Sequence, residues 1–141
     1  MKIFAWTGNR ESLLSLLWIF LTVNYLFCDV MTLHLASYLE AFLAGDVGGM
    51  KITEEFLLMF AVIMQIPTIM IVLSRFLASK LNKYFNIIAG IITTTNQIFT
   101  VAMGGSTIYF KFFSFFEIGT GLLIIYFAIT WQLEVKANSS E

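Results

Sequence analysis

The sequence predicts an all-α integral membrane protein, an antiparallel four-helix transmembrane bundle with a short interfacial helix in its first outer loop. Three observations carry this reading. Of 141 residues, 59% are hydrophobic and 12% are charged, whereas a soluble domain carries roughly 25% charged residues. Mean hydropathy is +0.86. The apolar residues gather into four runs, each near the roughly 20 residues that a helix needs to cross about 30 Å of hydrocarbon. Short connections and the absence of low-complexity tracts make residues 1–141 one four-span domain.

The spans fall at about 12–33, 54–74, 84–103 and 107–131. The first follows Lys2 and Arg10 and so imitates a secretory leader. Leu26 and Phe27 before Cys28 do not suit cleavage, and the run is read as a span. The loop from His34 to Thr53 carries Leu35, Leu39, Phe42 and Leu43 at helical spacing, then Gly45, Gly48 and Gly49. That pattern predicts a short helix lying along the outer surface. Thr53 followed by Glu54 and Glu55 is a helix start, because its hydroxyl can accept from free amides and carboxylates suit the positive end of the helix dipole. Residues 75–83 form a basic turn and Gly104, Gly105 and Ser106 a tight one, so consecutive spans are antiparallel neighbours. No internal repeat of the inverted-transporter kind is present.

Cations orient the bundle. Lys2, Arg10, Arg75, Lys80, Lys83 and Lys136 fall at one face, and Lys51 and Lys111 at the other. The excess of cations on the cytoplasmic side of membrane proteins then places both termini in the cytoplasm. Trp6, Tyr84 and Trp131 mark the inner interface, and Tyr38 and Tyr109 the outer one.

Sorting by helical phase gives each span a polar or small face at alternating three- and four-residue spacing. In span one it is Ser15, Trp18, Thr22, Tyr25, Asp29 and Thr32, and in span two Glu54, Leu58, Ala61, Gln65, Thr68, Val72 and Arg75. Span three offers Asn86, Gly90, Thr93, Gln97, Thr100 and Gly104. Span four offers Thr107, Lys111, Ser114, Glu117, Gly121 and Ala128. Such faces predict a left-handed bundle with a polar interior and lipid-facing Leu, Ile, Phe and Met. Neutral polar residues of this kind commonly serve packing alone. Asn24 and Asn96 lie off the faces and point to a second interface, hence a homo-oligomer.

Two carboxylates stand out. A charge at bilayer depth costs at least about 2.5 to 3.5 kcal/mol, so such groups turn inward and pair, titrate or bind. Asp29 lies in the outer part of the membrane, at the depth of Lys111, and the plain structural reading is an ion pair closing the bundle. Glu117 lies near mid-depth. Lys111 is six residues away and about 120° around the helix, so Glu117 must meet Gln65, Gln97, Tyr25 or another subunit, or bind a proton. The candidate ligand- or proton-binding set is therefore Glu117, Asp29, Gln65, Gln97, Tyr25 and Lys111.

Other chemistry is poorly supported. Cys28 is the sole cysteine, which excludes an intrachain disulfide, and with His34 it does not make a metal-ligand set. No cofactor or metal is expected, and no basic stripe suits nucleic acid. His34 reads as an interfacial side chain. Pro67 suggests a kink that frees a carbonyl near the polar face. Phe110, Phe112, Phe113, Phe115 and Phe116 could stack on a lipophilic ligand, although lipid contact explains most of them. Asn138 opens a glycosylation signal, which a cytoplasmic tail would never present.

The segments NYLFCDV, GDVGGMKIT, NIIAG and FEIG, within stretches covering nearly the whole chain, resemble a bacterial family of four-span proteins of unknown function. A looser likeness is to DoxX-type membrane proteins. The resemblance implies four spans in a bacterial inner membrane. It implies no activity.

Three functions fit the residues. The favoured one is a small inner-membrane protein that binds or transports a small solute or proton at a polar site around Glu117 and Asp29. The others are a membrane enzyme or redox auxiliary acting on a lipophilic substrate, and a non-catalytic assembly subunit. An enzyme is the weaker reading, since no second catalytic group accompanies Glu117. Membrane lipids, and a small or lipophilic ligand, are the expected partners.

Overall fold

The computed structural model describes residues 9–47, 49–103 and 107–132. Lys2, Trp6, Gly48, Gly104, Gly105, Ser106, Lys136 and the Asn138 signal lie outside them. Four long helices dominate: α1 (Arg10–Leu33), α3 (Glu54–Phe76), α4 (Ser79–Met103) and α5 (Ile108–Ile129). Each is long and apolar enough to cross a membrane. Between α1 and α3 lie the short helix α2 (Ala36–Leu43) and a two-stranded antiparallel ladder of β1 (Asp46–Val47) and β2 (Met50–Lys51). Asn9 caps α1 by accepting from the Ser12 amide at 2.9 Å, and Thr53 caps α3 by accepting from the Phe56 amide at 3.2 Å.

The short helix expected in the first loop is present and has no buried residue. The tiny hairpin after it was not expected from the sequence. Gly45 and Gly49 take φ of 72° and 85°, values that L side chains resist, and Asp46 accepts from the Gly49 amide at 2.9 Å. Span three starts earlier than expected, at Ser79 rather than 84. The α3–α4 connection is only Leu77 and Ala78, so much of the basic turn is helical.

The helices stand in the cyclic order α1–α3–α4–α5, with α1 closing the ring against α5 and little contact across the diagonals. One end carries α2 and the hairpin and is called the loop end. The other carries the start of α1, the α3–α4 connection and the end of α5, and is called the terminal end.

The apolar core of Leu14, Trp18, Leu21, Tyr25, Met70, Ala89 and Ile124 fills the terminal half and the middle. Its helices approach through small residues. A Cβ on Gly90 would lie 2.8 Å from Ile125 Cγ1, and one on Gly121 would overlap the Thr94 hydroxyl. Glycine at these two places permits the close α4–α5 packing that membrane helices favour.

The polar faces of spans one, three and four turn inward at most positions. Ser15, Trp18, Tyr25, Asn86, Gly90, Thr93, Gln97, Ser114, Glu117, Gly121 and Ala128 are buried. Span two is a correction. Glu54, Leu58, Ala61, Gln65, Thr68, Val72 and Arg75 are all exposed, and α3 instead buries Pro67, Met70 and Ser74. The true inner stripe has the same spacing displaced by two residues, about 200° around the helix. Two opposite stripes of equal regularity cannot be ranked by period alone. α3 is also the least covered of the four helices.

Candidate functional site

Polar side chains collect in two clusters. Toward the terminal end, Trp18 Nε1 donates to Asn86 Oδ1 at 2.6 Å, and Ser74 Oγ donates to the same oxygen at 3.2 Å. Asn86 Nδ2 donates to the Asn82 side-chain and main-chain oxygens at 2.7 and 2.8 Å. Asn82 Nδ2 in turn donates to the Ser74 carbonyl at 2.6 Å. Ser15 Oγ donates to the Ile71 carbonyl, Arg75 Nε reaches Ser15 Oγ at 3.4 Å, and Lys83 Nζ donates to the Trp131 carbonyl at 2.9 Å. Trp18, Ser74, Asn82 and Asn86 are fully buried and bonded to one another. This cluster binds α1, α3 and α4 together.

Toward the loop end the second cluster centres on Glu117 of α5. Glu117 is 2% exposed, and neither carboxylate oxygen has a hydrogen-bond partner. At about 1.5 Å per residue its Cα lies about 13 Å along α5 from the loop end. Tyr25, Cys28 and Asp29 of α1 are within electrostatic reach of it. Gln97 and Ser114 are buried one turn nearer the loop end, where Gln97 Nε2 donates to Ser114 Oγ at 2.9 Å. One turn the other way is Thr94, against Gly121, with its own hydroxyl buried and unbonded. Above the cluster the Tyr109 hydroxyl donates to Thr32 Oγ1 at 3.0 Å and ties α5 to α1.

The expected site residues divide accordingly. Glu117, Tyr25 and Gln97 are brought together inside the bundle, although neither Tyr25 nor Gln97 bonds to the carboxylate. Asp29 is near Glu117 but exposed, because Cys28 rather than Asp29 continues the buried stripe beyond Tyr25. Three residues and four residues on from Tyr25 both stay within about 60° of it, so the spacing allowed either. Lys111 is exposed and makes no ion pair with Asp29, so the expected closure of the bundle is not formed. Gln65 is on the outside of α3 and does not meet Glu117.

Asn82, Ser74, Thr94, Thr120 and Cys28 are buried participants that the face reading passed over. Asn82 had a signal, since it precedes Asn86 by four residues. Thr94 had a weaker one, the Gly121 that makes room for it.

The flanking features are plain. His34 is exposed at the end of α1, with Nδ1 2.7 Å from the Val30 carbonyl. Pro67 lies buried within an unbroken α3. Phe112, Phe113, Phe115 and Phe116 pack edge to face with centroids 5.1 to 5.8 Å apart, and Phe112, Phe115 and Phe116 are exposed. Among the described residues, no three His, Cys, Asp or Glu side chains converge as a metal site would require.

No curated protein and no solved structure matches the chain. The expected likeness to DoxX-type proteins has no support in these comparisons. One family model, described as a family of unknown function, DUF6326, matches residues 1–138. The chain therefore belongs to the DUF6326 family.

Proposed function

We propose that this is a multi-pass protein of the bacterial inner membrane that takes up a proton or a small cationic solute at Glu117. The single observation behind this is the carboxyl group itself, buried in a bundle of apolar helices with both oxygens unbonded. A buried carboxylate needs a cation or several donors. Here a second carboxylate, Asp29, is in electrostatic reach and no cationic side chain is paired with either. The chemistry open to such a site is the binding of one positive charge.

Tyr25 supports this reading, since its hydroxyl makes no hydrogen bond and it lies on the same side of the bundle. Asp29, exposed about 6 Å from the loop end of α1, is suited to exchange the charge with that surface. Arg10, Arg75, Lys80 and Lys83 at the terminal end, against Lys51 and Lys111 at the loop end, support cytoplasmic termini. A carboxyl that served only packing would be tied into bonds as Asn86 is.

The test is reconstitution into liposomes containing a pH-sensitive dye, with a potassium diffusion potential imposed. Wild type is expected to change the internal pH, or to be stabilised against heat by added monovalent cations. Glu117→Gln is expected to lose that response while eluting as a folded species. Equal behaviour of the two proteins in both assays overturns the proposal.

A further inference from the structure

The exposed stripe of α3 carries the second observation of this kind. Leu58, Ala61, Gln65, Ile69, Ile92 and their neighbours line an open groove of about 560 Å³ between α3 and α4, and its surface is almost wholly apolar. Exposed Leu, Ile and Val need no explanation on a helix in lipid. Gln65 does. Its Cα lies about 16 Å from the loop end of α3, near mid-depth, and its amide makes no hydrogen bond. Gln65 is thus the one polar residue of the groove lining, and its amide is without a partner.

Acyl chains offer neither donors nor acceptors at that depth. A second copy offers both, because an amide is self-complementary and a two-fold axis along the bundle brings residues of equal depth together. Ala61 and Thr68 flank Gln65 at spacings of four and three residues, small enough for close backbone approach at a left-handed crossing. We infer that the protein forms a symmetric homodimer in which α3 of each copy seats in the α3–α4 groove of the other, with the two Gln65 amides bonding across the axis. This rests on the membrane-spanning reading but not on the role of Glu117.

Oxidative cross-linking of the full chain in native membranes tests it, in a background where Cys28→Ala removes the native thiol. Ala61→Cys is expected to trap a dimer, whereas Leu122→Cys, exposed on α5, is not. Gln65→Leu is expected to weaken dimerisation by about three- to ten-fold in bilayer fluorescence measurements, from one or two lost interhelical bonds. No trapped dimer from Ala61→Cys, or equal trapping from Leu122→Cys, overturns the inference. So does a monomer that retains a lipophilic molecule released by Gln65→Leu. An alkaline wash separates the two premises: protein that leaves the membrane refutes the spanning reading, and protein that stays but does not cross-link refutes the dimer alone.

Discussion

The terminal-half cluster around Asn86 and the loop-half cluster around Glu117 are built from the same kind of material and end in opposite states. In the first, every buried polar side chain is bonded, and one asparagine oxygen receives both the Trp18 and the Ser74 donors. In the second, the Glu117 carboxyl and the Thr94 hydroxyl are buried without a partner. Part of the difference comes from α3. Its terminal half packs against α1 and α4 and brings in Ser74, while its loop half is exposed along nearly its whole length. α3 thus supplies Ser74 to the Asn86 network and no bond to Glu117. A saturated network fixes a structure, whereas an unsaturated buried carboxyl leaves binding capacity.

The contrast breaks most readily at its saturated side. Asn86→Ala removes the acceptor of Trp18 and Ser74 and the donor to Asn82, and is expected to cost about 3 to 5 kcal/mol in unfolding titrations in detergent. Gly121→Val drives a side chain into Thr94 and is expected to cost about 1 to 3 kcal/mol by the same measurement. Trp18→Phe keeps the bulk and loses one donor, for about 1 to 2 kcal/mol. Glu117→Gln sharpens the comparison, because no native bond is broken. Its unfolding free energy is expected to lie within about 1 kcal/mol of wild type even as the charge response disappears. Asp29→Asn, on an exposed side chain, is expected to change stability by less than about 0.5 kcal/mol while slowing charge exchange at the loop end. Losses for Glu117→Gln as large as those for Asn86→Ala would remove the distinction between the two clusters.

The four long apolar helices and the inward faces of α1, α4 and α5 were legible in the sequence, because small and polar residues interrupt otherwise apolar runs at helical spacing. Glu117 was legible for the same reason. The phase of α3 was not, since Ile63, Pro67, Met70 and Ser74 repeat as regularly as Ala61, Gln65, Thr68 and Val72. In a bilayer, no water-facing side exists to break that tie. Asp29 was misplaced by a smaller ambiguity, the choice between three and four residues per step after Tyr25. The Asn82–Asn86–Ser74 network was half visible, because Asn82 falls in what reads as a basic turn and Ser74 on the face assigned to lipid. The outward polar stripe of α3 is a true pattern whose partner, on the inference above, lies in another copy.

The most direct measurement of the Glu117 claim is isotope-edited infrared difference spectroscopy of the reconstituted protein, with glutamate carboxyl carbons labelled, as pH or monovalent cation is varied. The expected result is a carboxyl band that responds to the titration in wild type and is missing from Glu117→Gln. A spectrum in which every responding glutamate band survives that substitution would show that Glu117 is an inert buried group, and would contradict the proposed function.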